Sequence, residues 1–283
     1  MSSVSITQQP EVLPQLRRET IRRIVEQGKR GDGRGHLDFR NIVLHVNPIK
    51  TADGSAIISL GNTKVVAGVK VGVGAPYPDT PEEGALIVNL ETPPLAAPTI
   101  EPGPPDENAI EIARVVDRTI RHSNFLDLKS LCIVPKKFVY ILWVDLYVLN
   151  HDGNLYDAAC MAAVAALAAT TLPKVEIEQD QPKIIRDERI PLKVNTENLP
   201  LTITFVKISN SILVDPTLEE ENICDSKITI GISAGKVVSI QKTIGTFSID
   251  DLKNIFRKSI EIYDKLKNVI TNAIMNPDRE LRL

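Results

Sequence analysis

The segment LYDAACMAAVAALAATT, residues 155–171, is dominated by alanine and is apolar almost all the way round a helical wheel. A helix that is apolar on nearly every side is stable only where other parts of the protein cover it. The segment therefore predicts a central helix that is packed between two layers of structure. This requirement restricts the possible folds more than any other feature of the chain.

Strand-like segments lie on both sides of this helix, and turn signals such as Gly61-Asn62 separate them. Each half of the chain contains one hairpin and, later, one packing helix. The pattern predicts an α+β fold with two similar lobes, in which β-sheets pack against helices. The predicted strands are NIVLHV, AIISL, TKVVAGVKVGV, ALIVNLE and FVYILWVDLYVLN in the first half, and LTITFVKI, SILVDP, KITIGIS and KVVSIQKTI in the second.

Three further helices are predicted. One follows a polar tail at residues 1–10, one begins at Asp106 after a proline-rich loop, and one is opened by Ser248 and Asp251. The segment PKVEIEQDQPKIIRDERIP predicts a polar connection and an internal boundary. The expected division is an N-terminal tail and helix at 1–30, a first lobe at 31–185, and a second lobe with the C-terminal helix at 186–283.

The composition limits the class of protein. Hydrophobic residues make up 43% of the chain, which is enough for a substantial core. The net charge of −3 argues against a free-standing nucleic-acid binder, which usually carries a net basic field. Three scattered cysteines are too few for a disulfide framework, and no apolar run is long enough for a membrane span. We therefore expect a cytoplasmic protein that does not associate with membranes.

Familiar cofactor and catalytic motifs are missing from the sequence. It contains no GxxxxGK[ST] or GxGxxG phosphate loop and no GxSxG elbow. Its four histidines do not have the spacing of a metal site. We therefore predict neither a cofactor nor a bound metal.

A row of arginines lies on the predicted helix after the proline-rich loop. Arg114, Arg118 and Arg121 are spaced i, i+4 and i+7, opposite the apolar positions of the same helix. The row is either a solvated face or a phosphate-binding surface, since guanidinium groups match the geometry of phosphate. Spacing alone favours the solvated face. The candidate local counter-charges are Glu107, Glu111 and Asp117.

The stretch VDPTLEEENICDSKITIG, residues 214–231, is densely acidic. Carboxylates at this density can bind a divalent metal or act in acid–base catalysis. However, three of them are consecutive and cannot all face one centre in regular structure, and Lys227 follows closely enough to neutralise one. A charged connection between strands is the favoured interpretation. The acids are Asp215, Glu219, Glu220, Glu221 and Asp225.

Several motifs in a fixed order together resemble the RNase PH family. The motif EPGPPDENAIEIARVVDR is similar to that of non-catalytic RNase PH-type subunits of the archaeal exosome ring. The resemblance runs from about Lys29 to the last helix and implies an RNase PH-like fold of two β/α lobes. The other motifs are TADGSAIISLGNTKVVAGVKV, PDTPEEGALIVNLETPPLA, LWVDLYVLNHDGNLYDAACMAAVAAL and VDPTLEEENICDSKITIG.

The resemblance also implies partners and a function. Such a subunit alternates with a catalytic RNase PH-type sister in a ring that is a trimer of heterodimers. The ring degrades single-stranded RNA from its 3′ end with inorganic phosphate, and RNA-binding cap subunits attach to it. The helix that carries the arginine row resembles one that faces the sister's active-site cleft. This implies RNA contact by Arg118 first, Arg114 second and Arg121 third.

Active-site positions implied by the resemblance are degenerate here. Catalytic members hold phosphate with an arginine and a hydroxyl residue at the start of the buried helix, where this chain has Tyr156 and Asp157. Lys227 stands at the position of an essential aspartate. A carboxylate repels phosphate, and an ammonium group cannot replace a carboxylate as acid–base group or Mg²⁺ ligand. We therefore expect a catalytically silent chain that structures the sister's active site and contributes to RNA binding.

Two alternatives remain open. The chain could itself be an active phosphate-dependent 3′→5′ exoribonuclease in which Glu221, Asp225 or Asp215 replaces the usual aspartate. It could also be a purely structural ring subunit that makes no contact with RNA.

Overall fold

A computed structural model of the protein describes residues 15–275, with Arg186 described by its backbone alone. The predicted polar tail at residues 1–10 lies outside this range. The helices are α1 (Gln15–Glu26), α2 (Glu107–Arg121), α3 (Leu155–Ala168), α4 (Leu218–Ile223) and α5 (Ile249–Met275), with short 3₁₀ turns at Leu128–Leu131 and Thr196–Asn198. The strands are β1 (Ile42–Val46), β2 (Gly54–Leu60), β3 (Thr63–Gly74), β4 (Ala85–Glu91), β5 (Cys132–Val134), β6 (Phe138–Asn150), β7 (Thr171–Glu178), β8 (Gln181–Pro191), β9 (Leu201–Ile208), β10 (Ser211–Val214), β11 (Ser226–Ser233) and β12 (Lys236–Ile244).

The strands form three sheets. The first has six strands in the order β1–β2–β3–β6–β4, with β5 paired to β6. Its pairs are antiparallel except for β4 and β6, which run parallel. The second has four antiparallel strands in the order β10–β9–β11–β12, and the third is the β7–β8 hairpin. The predicted α+β fold, with β-sheets packed against helices, is confirmed.

The alanine-rich helix α3 lies between the two main sheets. It packs against β2 and β3 of the first sheet and against β9 of the second. Its residues from Leu155 to Leu167 are all buried. Small side chains are needed here because a close-packed interior leaves little volume between a helix and the two sheets that cover it. The predicted central helix is confirmed.

The other long helices cover the remaining faces. α2 packs against β4 and β12, and α5 packs against β9 and β11. Reciprocal bonds between Ser248 and Asp251 cap α5, as predicted. Ile21 and Val25 of α1 pack against apolar residues of the second sheet, so the N-terminal helix is docked on the second half of the fold. None of the helices between residues 15 and 275 is both long and apolar enough to cross a bilayer.

Two segments predicted to be connections contain regular structure that was not predicted. The polar segment before residue 191 forms the β7–β8 hairpin, in which charged and apolar residues alternate along β7, whereas β8 contains four consecutive charged residues. The acidic stretch contains α4, which has a capping box formed by Thr217 and Glu220. The prediction of a polar connection before residue 191 was wrong, whereas the acidic stretch does connect β10 to β11 but contains a helix that was not predicted. Short polar helices and strands have the composition of loops. The boundary expected at 185/186 falls inside β8, and the division into lobes stays a prediction.

Candidate functional site

Helix α2 presents the arginine row on its outer side. Its N-cap is Asp106, as predicted, and the Oδ1 atom of Asp106 accepts the N–H of Ala109 at 2.8 Å. The apolar side of the helix is buried against its neighbours. Arg114, Arg118 and Arg121 are therefore exposed, at the spacing that the sequence predicts.

The row divides into two free arginines and one bonded arginine. The guanidinium of Arg121 donates to Asp117 Oδ1 at 2.7 Å and to the carbonyl of Leu86 at 3.0 Å. The side chains of Arg114 and Arg118 form no ion pair or hydrogen bond with any residue in the range 15–275. Like charges one helical turn apart repel each other. This part of α2 would therefore be stabilised by an anion from outside the chain.

The acids expected to neutralise the row mostly do not face it. Glu111 is turned away, and its Oε1 atom accepts the hydroxyl of Tyr156 at 2.7 Å and the amide of Gln241 at 2.9 Å. Glu107 is exposed, and no contact within the described residues joins it to the arginines. Only Asp117 neutralises a member of the row, namely Arg121. The interpretation of the whole row as a locally neutralised face is therefore not supported by this geometry.

A cavity of about 470 Å³ lies beside the N-terminal ends of α2 and α3. Residues from α4, β11 and β12 complete its lining. The cavity brings together Tyr156 and Lys227, two of the three positions expected to be degenerate. His151 and Glu221 line the same space.

The turn between β6 and α3 allows α4 to approach this cavity. Gly153 has a φ of +85°, and a Cβ atom at this position would lie 2.4 Å from the backbone nitrogen of Leu218. Only glycine combines this backbone conformation with such a close approach. His151, in the same turn, is largely enclosed, and burial lowers the pKa of its ring. The ring is therefore neutral at pH 7 and adds no positive charge to the cavity.

An ion pair next to an aromatic ring forms one side of the cavity. Lys227 Nζ lies 2.7 Å from Glu221 Oε1 and 5.1 Å from the centroid of the Tyr156 ring. Glu221 Oε1 also accepts the backbone N–H of Asn154 at 3.2 Å. Burial and the hydrogen bond to Glu111 raise the pKa of Tyr156 far above its usual value, so its hydroxyl stays protonated. The charge of Lys227 is thus already matched within the chain.

Asp157 does not contribute to the cavity. Its side chain is fully buried on another side of α3, where it accepts Thr204 N–H at 3.0 Å, Thr204 Oγ1 at 2.9 Å and Asn154 Nδ2 at 2.8 Å. Burial raises the pKa of this carboxyl to about 7. The expectation that Asp157 repels phosphate directly in the cavity is wrong, because successive residues of a helix point about 100° apart. Its correspondence to the hydroxyl position of catalytic relatives stays a prediction.

Each acid of the acidic stretch contacts a different basic group. The partners lie on α1, on the loop that follows it, and on β11, so the stretch fastens the N-terminal segment to the second sheet. The stretch is therefore a charged connection between β10 and β11, as expected, but its charges are paired within the chain. Within residues 15–275, no group of three or more His, Cys, Asp or Glu residues could hold a metal ion. The pairs are Arg17–Glu219, Arg22–Asp225, Arg30–Glu220, Arg34–Asp215, Arg40–Asp215 and Lys227–Glu221.

Asp215 is the most enclosed of these acids. It is fully buried and accepts Arg40 Nη2 at 2.8 Å, Arg34 Nη1 at 2.9 Å and Asn154 Nδ2 at 2.6 Å. Burial alone would raise the pKa of Asp215, but the bonds with Arg40 hold it below its usual value. This carboxylate is ionised, neutralised and closed to solvent. Its position is that of a structural group.

The three acids that could replace a catalytic aspartate lie in different surroundings. Asp215 is enclosed by arginines, and Asp225 accepts Arg22 Nη2 and the N–H of Ser209, each at 2.7 Å. Neither of them lines the cavity, whereas Glu221 does. Because Glu221 is already bonded to Lys227, it offers no free base to a substrate.

Sequence reasoning missed several residues that shape this region. Gln241 and Thr243 approach the cavity from β12, a strand with nothing in its pattern to mark it as part of a site. The buried arginines Arg30 and Arg40 were also missed. In the sequence, both arginines lie in the basic run GKRGDGRGHLDFR. The acidic stretch in the second half of the chain carries charges of the opposite sign. A charge match over such a distance does not specify which residues meet.

Comparison with known proteins shows the family of this chain. Residues 38–173 match domain 1 of the 3′ exoribonuclease family RNase PH, and residues 198–262 match its domain 2. The chain belongs to the RNase PH family. The two matched ranges contain the first and second sheets of this RNase PH fold, respectively. The resemblance drawn from the sequence motifs is confirmed.

Relatives and solved structures of this RNase PH chain come from archaeal exosomes. It is 47% identical to the exosome complex component Rrp42 of Pyrobaculum aerophilum, over 92% of this chain and 94% of that protein. It is 44% identical to Rrp42 of Thermococcus kodakarensis, over 93% and 98%. A chain of the Archaeoglobus fulgidus exosome with RNA bound to the active site is 41% identical, with a TM-score of 0.81 over 89% of this chain and 97% of that one. A chain of an archaeal exosome core is 37% identical, with a TM-score of 0.78 over 90% and 96%.

Proposed function

We propose that this chain is the non-catalytic subunit of an archaeal exosome core. It forms a hexameric ring with a catalytic RNase PH-type sister chain, structures the sister's active site, and contributes to RNA binding during 3′→5′ phosphorolysis. The similarity to Rrp42 over 92% of the chain supports this assignment. The likeness to a chain from an exosome with RNA bound to its active site supports the link to RNA.

Catalytic silence is supported by the charges in the cavity. Binding of inorganic phosphate needs positive groups that are free to donate to its oxygens. Tyr156 carries no charge, His151 is neutral, and Lys227 is bonded to Glu221 at 2.7 Å. The cavity therefore offers a phosphate dianion no uncompensated cation, and a phosphorolytic step has no attacking group to position.

RNA binding rests on one observation, which is the pair of exposed arginines on α2 that have no partner among residues 15–275. Arg118 and Arg114 lie one turn apart on the outer side of the helix, and a guanidinium can bind a phosphate bidentately. Arg121 is the weakest of the three candidates, because it must first lose its bonds to Asp117 and Leu86. A net acidic chain with a local basic row is typical of a composite binder, in which a partner supplies the remaining contacts.

The remaining partners are also part of the proposal. We expect the ring to carry RNA-binding cap subunits, to act on single-stranded RNA and to work in the cytoplasm. These expectations follow from the relationship to archaeal exosome components.

The salt dependence of RNA binding tests the role of the arginines. In the reconstituted complex, Arg118→Ala should weaken the binding of single-stranded RNA. It should also lower the slope of log K against log salt by roughly 0.7 for each phosphate contact that is lost. Arg114→Ala should have the same effect or a smaller one, and Arg121→Ala the smallest effect of the three. Fluorescence anisotropy at several salt concentrations measures these slopes.

A matched control is available on α1. Arg23 is an exposed arginine far from α2 in the sequence, and Arg23→Ala changes the net charge by the same amount. The slope should stay at the wild-type value in this variant. An unchanged slope in Arg118→Ala and Arg114→Ala would contradict the RNA contact and favour a purely structural subunit.

A further inference from the structure

The carboxylate of Glu221 is held in the cavity as a bound anion would be. Its Oε1 atom accepts both the backbone N–H of Asn154 at 3.2 Å and the ammonium of Lys227 at 2.7 Å. Both side chains of the pair are nearly buried, with 13% of Glu221 and 12% of Lys227 exposed. A backbone N–H beside a cationic side chain is a donor set that proteins use for small oxyanions. Here the chain's own carboxylate fills it.

Neighbouring contacts fix the direction of Glu221. The three consecutive glutamates of α4 point in different directions, as expected for a helix. Glu219 pairs with Arg17, and Glu220 pairs with the buried Arg30 and also closes the capping box. These two contacts set the rotation of the short helix about its axis. Glu221 is therefore directed to the cavity by the packing of α4, independently of its attraction to Lys227.

A simple stabilising ion pair does not account for this arrangement. A nearly buried pair loses much of its hydration, and this loss can exceed the gain from the attraction of the two charges. The Glu221 carboxylate also makes a second contact, to the N–H of Asn154, which is not needed for a pair between two side chains. The two donors form a small anion position, which is the space between Asn154 N–H and Lys227 Nζ, and the Glu221 carboxylate occupies it.

We propose that Glu221 is an internal anion that occupies this anion position and closes the cavity to free phosphate. The proposal rests on the proposed function only for the choice of phosphate as the excluded anion. Removal of the carboxylate should leave Asn154 N–H and Lys227 Nζ available to an oxyanion from solution.

Titration of the isolated chain with inorganic phosphate tests this proposal. Calorimetry at constant ionic strength, balanced with potassium chloride, should detect binding to Glu221→Ala that is at least about 10-fold tighter than binding to the wild type. The double variant Glu221→Ala/Lys227→Met should lose the gain, because it lacks the cation of the anion position. Glu219→Ala is the matched control, since it removes a neighbouring acid of α4 whose partner is Arg17, outside the cavity.

Circular dichroism and gel filtration establish that each variant is folded, since Lys227 loses its partner in Glu221→Ala. Phosphate should also raise the melting temperature of Glu221→Ala in a concentration-dependent way, because a ligand that binds only the folded state stabilises it. Should Glu221→Ala not fold, Glu221→Ser replaces it in both assays, because its short side chain removes both the charge and the bulk that fill the anion position. The proposal is overturned if a folded variant of Glu221 binds phosphate no more tightly than the wild type does.

The double variant gives a second outcome that would overturn the proposal. Retention of the full gain without Lys227 would show that phosphate binds somewhere else. Because the titration uses neither RNA nor the sister chain, its failure leaves the RNA-binding proposal intact. Conversely, an unchanged salt slope in the Arg118 variant would not bear on the anion position.

Discussion

Tyr156 and Asp157 are adjacent in the sequence, but their side chains have different surroundings. The Tyr156 ring lies in the cavity beside Lys227, whereas the Asp157 carboxylate is bonded to Thr204 and Asn154 in the interior. The sequence motif identified both positions but could not show that only one of them faces the site. Direction around a helix follows from packing, and packing is decided by residues that are distant in the chain.

The buried carboxyl of Asp157 should make stability depend on pH. Its pKa in the folded state is about 7, above the usual value of 3.8, so between these values the folded state holds a proton that the unfolded state releases. The contribution of this group to the free energy of unfolding is therefore greatest below pH 4 and falls as the pH rises towards 7. The slope is at most about 1.4 kcal/mol per pH unit. Asp157→Asn should remove this slope in urea unfolding measured from pH 4.5 to 7.5.

The surroundings of Asp157 can accommodate the amide. The Asn oxygen can accept the two N–H groups from Thr204 and Asn154, and the Asn nitrogen can donate to the Thr204 hydroxyl, which can in turn donate to Thr229 Oγ1. Asp250→Asn serves as the control, because the side chain of Asp250 is 93% exposed. The same pH slope in Asp157→Asn and in the wild type would show that Asp157 is not its source.

At the scale of elements, the acidic stretch holds the N-terminal segment in place. Arg40 from the loop after α1 donates to Asp215 and to the carbonyl of Asp152, which connects three parts of the chain. Arg40→Met should lower the free energy of unfolding by about 3–5 kcal/mol, because it removes one partner from a buried charge. Urea unfolding measures the loss.

Two further variants make this prediction specific. Lys253→Met removes an exposed pair with Asp250 and should cost no more than about 0.5 kcal/mol. Arg40→Met/Asp215→Leu should be less destabilised than Arg40→Met, because it also removes the buried carboxylate, which Arg40→Met leaves with Arg34 as its one charged partner among residues 15–275. A loss below about 1 kcal/mol for Arg40→Met would contradict the structural role assigned to the Arg40–Asp215 pair.

Elements with strong periodicity could be predicted from the sequence, and short polar elements could not. The 13-residue strand β6 and the helices α2 and α5 have apolar patterns that repeat over many residues, and α3 is marked by a long run that is apolar on nearly every side. The six-residue helix α4 has too few residues to show a period, and the β7–β8 hairpin is exposed along most of its length. Their formation depends on caps, strand pairing and ion pairs with distant residues, which composition does not reveal.

At the scale of the whole molecule, the distribution of charge explains how an acidic chain can contribute to RNA binding. The net charge is −3, yet four acids of the acidic stretch are neutralised internally by arginines of the N-terminal segment. The side chains of Arg114 and Arg118 lie on an outer face, and no acid in the described part of the chain neutralises them. Net charge alone argued against a nucleic-acid binder, and it could not show that one helix face has a local positive field.

The cavity and the outer face of α2 together define the division of labour that we propose. The cavity lacks a free cation and should not position phosphate, whereas the arginines of α2 should act on RNA that a partner's active site cleaves. An alternating ring of two different chains requires two different interfaces on each subunit. We expect neither phosphorolytic activity nor tight RNA binding of the isolated chain, because the sister chain supplies the active site and the remaining RNA contacts.

The most direct test of this account is phosphate-dependent release of nucleoside diphosphates from single-stranded RNA. The assay compares the chain alone, the sister chain alone, and the complex isolated by size-exclusion chromatography at the mass of a heterohexamer. The chain alone, with phosphate and Mg²⁺, should release none, and the complex should be active at a rate that falls when Arg118 is replaced by alanine. Phosphorolysis by the purified chain alone would contradict the account and identify the chain as an active exoribonuclease.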